Sequence, residues 1–406
     1  MKLLYLINSL GAGGAERSLV ELLPHYQSSG IDISLVCLEP RRVGVEADAR
    51  LLGTDLVYLS GALPGWIASF RRLISRRHPD LIHTTLFDAH LVGRLGAMGT
   101  EVPVLSSLVS TPYVPSRKKD RNLNQTAFRL VKALDGWTAR HLTSRFHAIS
   151  HTVRDAYVAS LGLPPERITV IERGRDPQRL GQPDETRRQR VRRALGIDPA
   201  IPLLINVGRH EYPKGQPVLL RAMAILRERH ADAVLLIAGR DGHMTRELER
   251  LHQELRLGGR VRFLGHRTDV PDLLAASDLF VFPSLYEGLG GAVLEAMALE
   301  LPIVASDIPA MREVVGSAGC GLLVEPEDPA ALATAIERLI TDAELRRILG
   351  VRGGHRFRER YAIDRCARRM VDLYGEVVEE HDARQRSWRR RKAATAGADT
   401  SPIRPA

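Results

Sequence analysis

Cysteine is scarce in this chain of 406 residues, which holds three of them: Cys37, Cys320 and Cys366. They lie far apart and form no Cys-x-x-Cys pair, which excludes a disulfide framework and a cysteine zinc site and indicates a reducing compartment. Long apolar runs are also absent, and none approaches the roughly 20 residues that cross a bilayer. The apolar start at residues 3–8 is too short for a signal peptide and has no cleavage-site pattern. We therefore expect a soluble or peripheral protein in the cytoplasm.

Acidic residues are fewer than basic ones. The chain has 48 Asp and Glu against 58 Lys and Arg, which gives a formal net charge of +10. No basic stripe interleaved with aromatic residues accompanies this charge, so we expect no nucleic-acid partner. Part of the excess lies in residues 384–392, RQRSWRRRK. An anionic membrane surface attracts such segments, and a merely solubilising surface is the alternative.

Short apolar runs alternate with amphipathic helical stretches along the chain, the pattern of parallel α/β sheets. The predicted strands of the first half are residues 3–8, 33–38, 56–59, 81–84, 104–108, 146–149 and 168–171. Those of the second half are residues 203–207, 234–238, 261–264, 279–282, 303–305 and 321–324.

The length and the two sets of strands predict two Rossmann-like domains, residues 1–175 and 201–360, whose parallel sheets face an active-site cleft. The charged segment at 176–200 is the predicted hinge. We expect a helix at 361–382 that packs back across the hinge, followed by a basic, disordered tail at 383–406.

Residues 64–80 hold apolar side chains on one helical face and arginines on the other. Their place just before a buried strand predicts a crossover helix. An interfacial membrane helix is the alternative.

The densest chemistry lies in residues 278–306, where a strand ends at Pro283 and a glycine-bearing loop leads into a helix. Such a unit offers backbone amides and the positive end of a helix dipole to a phosphate. Glu287 lies in the loop, and Glu295 follows eight residues later on the helix. The spacing alone leaves two interpretations open, a turn residue with a solvated glutamate, or two carboxylates at a ligand crevice.

The stretch EGLGGAVLEAMA, with FVFPS before it and ELPIVASDIPAMREVV after it, resembles the Glu-x7-Glu motif of the retaining nucleotide-sugar glycosyltransferases of family 4. The resemblance implies the GT-B architecture of two Rossmann-like domains. It also implies transfer of a sugar from a nucleoside diphosphate to an acceptor hydroxyl with retention of configuration. Glu287 would then bind the donor sugar and Glu295 the ribose. The diphosphate would meet the loop amides of Gly288, Leu289, Gly290 and Gly291.

Two cations follow the first strand of the second half, in NVGRHEYPKG at residues 206–215. Arg209 and Lys214 can converge on one anion, and two solvated loop cations are the alternative. The family pattern of Gly-Arg followed by Lys-Gly is complete here, which implies that both residues hold the donor diphosphate and offset the charge of the leaving group. His266 and Arg267 occupy the place that the family puts near the nucleobase.

The loop GAGGAE, residues 11–16, follows the first strand, and its glycines let backbone amides approach a phosphate or sugar. The resemblance assigns Gly13, Gly14 and Glu16 to the acceptor and the transferred sugar. Glu16 stands where a dinucleotide fingerprint has its third glycine, and Glu39 ends the second strand as a ribose-binding acid would. An NAD-binding oxidoreductase and a simple tight turn are therefore alternatives.

The first half departs from the family at Ser110 and Thr111, where some members carry a histidine. His83, at a strand end, and His147, inside an apolar run, are interpreted as structural. With no base assigned in the first domain, the leaving diphosphate would assist deprotonation of the acceptor. A non-catalytic nucleotide-sugar-binding scaffold is a third alternative.

The chain contains no Asp-x-Asp, the carboxylate pair that the metal-dependent architecture would need. We expect neither a metal nor another cofactor. The expected partners are a nucleotide sugar, a glycan or lipid-linked acceptor, and an anionic surface at the inner face of the cytoplasmic membrane.

Overall fold

The computed structural model describes residues 1–11, 13–41, 43–114, 124–229 and 232–398. They form two parallel sheets, seven strands ordered β3-β2-β1-β4-β5-β6-β7 and six strands ordered β10-β9-β8-β11-β12-β13. The first sheet contains β1 Lys2–Ile7, β2 Asp32–Cys37, β3 Asp55–Tyr58, β4 Leu81–Thr85, β5 Val104–Leu108, β6 Arg145–Ala148 and β7 Ile168–Val170. The second contains β8 Leu203–Val207, β9 Val234–Ala238, β10 Val261–Gly265, β11 Leu279–Phe282, β12 Ile303–Ser306 and β13 Gly321–Val324.

Helices connect the strands and cover both faces of each sheet. Those of the first half are α1 Gly14–Ser28, α2 Glu46–Leu51, α3 Leu63–Arg77, α4 Phe87–Ala97, α5 Gln125–Leu142 and α6 His151–Leu161. The next are α7 Pro177–Leu180, α8 Glu185–Ala194, α9 Gln216–Arg227, α10 Thr245–Glu254, α11 Val270–Ala276 and α12 Gly291–Ala298. The last are α13 Pro309–Val314, α14 Pro329–Thr341, α15 Ala343–Arg360 and α16 Ile363–Ala398.

Every predicted strand occurs, with its ends shifted by at most one residue. The apolar runs are continuous because the strands are buried on both faces. In β8, Leu203 and Ile205 pack into the core on one face, and Leu204 packs into the core on the other. The predicted α/β class with two parallel sheets is confirmed.

The strand order places a crevice at the carboxyl ends of β8 and β11. Because β9 adds on one side of β8 and β11 on the other, the loops after β8 and β11 diverge to opposite faces of the sheet. Strands β1 and β4 have the same relationship in the first sheet. The motif loops at 206–215 and 283–291 therefore leave adjacent strand ends.

The predicted hinge at 176–200 is partly helical, and α8 packs on the second domain through arginine. Arg192 is buried, with its Nη2 2.7 Å from Asp278 Oδ2 and its Nε donating to Ala276 O at 2.9 Å. Backbone hydrogen bonds link the two crossings between the domains, since Arg175 N–H donates to Tyr361 O and Ile363 N–H donates to Arg175 O.

Helix α3 is the predicted crossover helix. Phe70 and Ile74 are buried, and Trp66, Ile67 and Leu73 pack against the same core. The opposite face exposes its arginines, Arg71, Arg72, Arg76 and Arg77. Contact of this arginine face with lipid stays a prediction.

Helix α16 packs on the first domain, where Met370, Leu373, Tyr374 and Val377 are buried in the core that contains α1. The expectation of a disordered tail from 383 is wrong for 383–398, which continue the helix. Within this extension, Arg389 Nη2 lies 2.8 Å from Glu101 Oε2 of the first domain, as an exposed ion pair. Residues 399–406 lie outside the described residues. No helix of the described chain is long and apolar enough to span a membrane.

Candidate active site

The loops after β8 and β11 are fastened to each other below the crevice. Asn206 Nδ2 donates to Val281 O at 2.8 Å, and Gln216 Nε2 donates to Asn206 Oδ1 at 3.1 Å. Gly215, at the start of α9, has φ +61°, and an added Cβ would lie 1.9 Å from Pro283 O. Only glycine permits this close approach. The two motif loops therefore have a fixed relative position.

Lys214 and Glu287 are direct partners. Lys214 Nζ lies 2.5 Å from Glu287 Oε1, and Ser284 Oγ donates to the same oxygen at 3.1 Å. The lysine ammonium also lies 5.7 Å from the centre of the Phe282 ring. The cation predicted for the diphosphate thus pairs with the carboxylate predicted for the sugar.

Arg209 is the more exposed of the two predicted cations. Its side chain is 59% exposed, and its Nη1 lies 3.5 Å from Glu211 Oε1. Glu211 is held in turn by His243, whose Nδ1 is 2.6 Å from Glu211 Oε2. Arg209 is therefore loosely paired and open to an anion in the crevice.

The loop from Gly288 to Gly291 lies against the first domain. Ser150 Oγ donates to Gly288 O at 2.6 Å, and an added Cβ at Gly288 would be 3.3 Å from Ser110 Cα. The place where some family members carry a histidine therefore faces this glycine loop. Leu289 is buried in the core, so only its backbone is available to a ligand. Gly290, with φ +85°, starts α12 without a side-chain cap.

Glu295 lies in the crevice and not on an exposed helix face, since its side chain is 13% exposed. Its Oε1 accepts a hydrogen bond from Arg175 Nε at 3.0 Å and lies 3.4 Å from Arg179 Nη2. Sequence reasoning missed both arginines, because it assigned the segment after β7 to a linker. Their place at the carboxyl end of a strand was the available signal.

His266 and Arg267 form an exposed loop tip. Arg267 is paired within its own loop through Nε and Nη2, which donate to Asp269 at 2.8 and 2.6 Å. The Arg267 hydrogen bonds lower the pKa of Asp269. Among the described residues, neither His266 nor Arg267 forms a hydrogen bond or ion pair with Glu287 or Glu295, and a role near the base stays a prediction.

The first-domain loop opens α1 at Gly14 with Gly13 as the uncapped N-cap. Glu16 folds back over it, since a Cβ on Gly13 would lie 2.3 Å from Glu16 Oε2. Burial raises the pKa of Glu16, while Arg173, Arg209 and Arg240 pull it down. Glu16 therefore interacts electrostatically with arginines of both domains.

Arg173 is a half-buried cation that the sequence analysis did not single out. It forms no ion pair or hydrogen bond with a described residue, and a Cβ on Gly14 would be 3.8 Å from its Nη1. Burial and the neighbouring Arg175 lower the pKa of Arg173 to about 10. This guanidinium adds a positive charge beside the Gly13–Glu16 loop, and the nearby Glu16 and Glu21 offset part of it.

His83 and His147 belong to a buried hydrogen-bond chain, as the structural interpretation predicted. His147 Nε2 must donate to Ile171 O, at 2.8 Å, because a carbonyl only accepts. His147 Nδ1 then accepts from Ser107 Oγ at 2.7 Å, and Ser107 accepts from His83 Nε2 at 2.6 Å. His83 Nδ1 accepts from Tyr374 at 2.8 Å. Burial lowers the pKa of both histidines, which favours these neutral rings, and their hydrogen bonds leave neither free to act as a base.

Comparison with known proteins identifies both halves of the chain as glycosyltransferase domains. Residues 187–356 match the family model described as Glycosyl transferases group 1, and residues 13–174 match the Glycosyl transferase 4-like domain. The chain is 31% identical over 346 residues to the D-inositol 3-phosphate glycosyltransferase of Salinispora tropica, covering 79% of this chain and 70% of that protein.

Two further proteins are similar over nearly their whole length. The lipopolysaccharide core biosynthesis mannosyltransferase LpsB of Rhizobium meliloti is 29% identical over 371 residues, covering 89% of this chain and 99% of that protein. The crystal structure of HepE of Anabaena in complex with UDP superposes with a TM-score of 0.78 at 23% identity, covering 93% of this chain and 100% of that one. This last likeness shows the fold, which confirms the predicted GT-B architecture. The chain belongs to the group 1 glycosyltransferases, of the family 4 type.

Proposed function

We propose that this glycosyltransferase transfers a sugar from a nucleoside diphosphate to an acceptor hydroxyl with retention of configuration. The observation that carries the proposal is the Lys214–Glu287 contact at the carboxyl ends of β8 and β11, with Glu295 on the helix that follows β11. A diphosphate beside Lys214 leaves Glu287 in reach of the sugar and Glu295 in reach of the ribose.

In the proposed reaction the bond from the sugar anomeric carbon to the diphosphate oxygen breaks, and a bond to the acceptor oxygen forms on the same face. The acceptor proton moves to an oxygen of the leaving diphosphate. His83 and His147 are buried and hydrogen-bonded, and Ser110 and Thr111 are not bases at neutral pH. These features support a role for the diphosphate as the base.

Arg209 and Lys214 supply the positive charge that this leaving group needs. A preorganised cation stabilises charge that develops in the transition state, in the way that a metal ion does in other transferases. The backbone amides of the Gly288–Gly291 loop add partial positive charge that faces the same leaving group. We therefore propose that transfer is metal-independent.

For the acceptor we propose a glycan or lipid-linked glycan at the inner face of the cytoplasmic membrane. Arg173 gives the first-domain side of the cleft a positive charge that fits an acceptor carrying phosphate. The exposed arginine face of α3 gives the same domain a basic surface. The relative LpsB is a mannosyltransferase of lipopolysaccharide core biosynthesis, which supports an acceptor of the glycan or glycolipid class.

Ligand-dependent thermal stability tests the donor site. UDP, GDP, ADP and NAD are each added to the wild type, to Arg209→Ala, and to Arg250→Ala. Arg250 is an exposed control that pairs with Glu254 on α10. A ligand at a hundred times its Kd stabilises by about 2.7 kcal/mol. We expect one nucleoside diphosphate to stabilise the wild type and the control but not Arg209→Ala. Stabilisation by NAD alone would reject the proposal and favour the oxidoreductase alternative. Membership of the glycosyltransferase family otherwise argues against that alternative.

Stereochemistry and metal dependence need turnover. Proton NMR of the sugar released to water from an α-linked donor should show the α anomer first, and chelator should leave the rate unchanged. First release of the β anomer would reject retention, and loss of turnover with chelator would reject metal independence. Donor binding without transfer to water or any acceptor would favour the non-catalytic scaffold.

A further inference from the structure

Arg175 occupies the crossing between the two domains, and its backbone is held there. Its N–H donates to Tyr361 O at 2.9 Å, and its carbonyl accepts from Ile363 N at 3.1 Å. Its side chain runs along the start of α12, where a Cβ on Gly291 would lie 2.1 Å from Nη2. The glycine loop of the donor site therefore makes room for this arginine.

The Arg175 guanidinium contacts both domains at once. Nε donates to Glu295 Oε1 at 3.0 Å on α12, and Nη1 donates to Ser18 Oγ at 2.8 Å on α1. The side chain is 3% exposed, so these hydrogen bonds are shielded from water. A charge-assisted hydrogen bond in such surroundings holds its partner in one orientation.

Arg179 lies between one carboxylate of each domain. Its Nε is 2.8 Å from Glu21 Oε1 on α1, and its Nη2 is 3.4 Å from Glu295 Oε1. Both Glu21 oxygens are buried and lack an aligned hydrogen bond among the described residues. Burial raises the pKa of Glu21, and Arg175 and Arg179 lower it. Arg179 is therefore shared by two acids, and its shorter contact is with Glu21.

Both arginines approach the same oxygen of Glu295. The other oxygen, Oε2, forms no hydrogen bond with a described residue. A carboxylate held by one oxygen presents the second to a hydroxyl in a fixed direction, and ribose offers such a hydroxyl.

We propose that Arg175 and Arg179 are positioning residues of the nucleotide site, which hold Glu295 by Oε1 so that Oε2 accepts a ribose hydroxyl. The inference rests on the proposed donor site. Since the same two arginines contact Ser18 and Glu21, the orientation of the ribose carboxylate depends on α1 of the first domain. Recognition of the ribose then requires the two domains to be correctly placed.

The test compares each nucleoside diphosphate with its 2′-deoxy form by isothermal titration calorimetry, using UDP, GDP and ADP. The variants are Arg175→Met, Arg179→Met, Glu295→Gln and Arg175→Lys. Arg192→Met is the control for a buried arginine paired with a carboxylate, and Arg229→Met, whose residue pairs with Glu337, is the control for an exposed one. The ratio of the two dissociation constants is measured within each variant, so a partly unfolded fraction does not change it.

A hydrogen bond to a charged group gives discrimination of about tenfold or more against the ligand that lacks the hydroxyl. We expect this ratio in the wild type and both controls, a ratio near one in Glu295→Gln and Arg175→Met, and an intermediate ratio in Arg179→Met. Arg175→Lys should recover part of it. Inorganic pyrophosphate should bind all variants alike, because it has no ribose.

The outcomes separate this inference from the proposed function. A ratio lost in Glu295→Gln but kept in Arg175→Met and Arg179→Met would overturn the positioning role and leave the donor site intact. A wild type that binds no nucleoside diphosphate, or a ratio near one in the wild type, would reject the ribose site itself and the inference with it.

Discussion

Lys214 and Glu287 lie 73 residues apart in the chain and meet with 2.5 Å between Nζ and Oε1. Two loops from adjacent strands bring them together at the carboxyl edge of the second sheet. The lysine side chain is thus partly desolvated and paired, in the loop where we propose that the diphosphate binds.

Replacing Lys214 with Met should remove donor stabilisation and lower kcat/KM by about 10²-fold or more, because one preorganised charge contact to the leaving group is lost. Thermal shifts with the nucleoside diphosphate and initial rates measure the two effects. Arg250→Ala is the control. If kcat/KM were unchanged in Lys214→Met, Lys214 would have no role in the mechanism.

Gly215→Ala should destabilise the protein more than Gly258→Ala. Both glycines have positive φ, +61° and +54°, but an added Cβ meets Pro283 O at 1.9 Å in the first and open space in the second. The backbone strain of about 1–2 kcal/mol is common to both. Urea unfolding should show a larger loss for Gly215→Ala, and nucleotide binding should fall only there. Equal losses of unfolding free energy in the two variants would mean that the loop after β11 moves to accept the added Cβ at no energetic cost.

Acid should destabilise the first domain through its buried histidines. Burial lowers the pKa of His147 to about 4 and moves the pKa of His83 well below its usual value. In the unfolded chain the same histidines have a pKa near 6.5. Between that pH and about 4 the unfolded state therefore binds more protons than the folded state. The free energy of unfolding is thus full above pH 6.5 and falls as the pH drops toward about 4. The slope is about 1.4 kcal/mol per pH unit for each histidine.

Urea titrations between pH 7.5 and 4.5 measure this slope. Replacing His147 with Gln should reduce the slope. An unfolding free energy that is flat across the range would contradict neutral, hydrogen-bonded histidines.

Arg173→Met and Arg94→Met should differ in stability. Arg94 is buried with its Nη1 2.8 Å from Asp135 Oδ1, so its loss strands a buried carboxylate and should cost about 3–5 kcal/mol. Arg173 has no such partner among the described residues, and its replacement should change the unfolding free energy by less than about 1 kcal/mol. Its effect should appear in turnover with a phosphate-bearing acceptor. A large loss of stability in Arg173→Met would indicate a structural role.

Anionic liposomes should bind the protein at low salt and release it at high salt. Helix α5 exposes Leu130, Leu134 and Trp137 by 73%, 41% and 48%, at helical spacing on one face. Trp137→Gln should therefore lower the fraction that floats, whereas Val351→Gln, at a position 45% exposed on the second domain, should not. No salt-sensitive flotation of the wild type would count against a membrane-bound acceptor.

The fold was predictable because its strands are buried on both faces and therefore appear in the sequence as short apolar runs. Helix α8 was not, because Arg192 packs it through hydrogen bonds to Asp278 and Ala276, which no hydrophobic pattern shows. The last turns of α16 were missed for a related reason, since a run of arginines was taken as a mark of disorder.

The sequence assigned Lys214 and Glu287 to one crevice, and the structure brings the two side chains into contact, while their roles toward a donor stay predictions. Arg175 and Arg179 were not predicted because their contacts with Glu295 depend on how the two domains face each other. Glu295, for example, follows Arg175 by 120 positions. Spacing along the chain carries no information on such a contact, which is set by how two sheets face each other.

Helix α16 has a consequence for synthesis on the ribosome. The core around α1 includes Met370, Leu373 and Tyr374, and the hydrogen bond between His83 and Tyr374 spans 291 positions. The nascent first domain must therefore wait for nearly the whole chain before that core closes. Its uncovered apolar surface would be a natural substrate for holdase chaperones during translation.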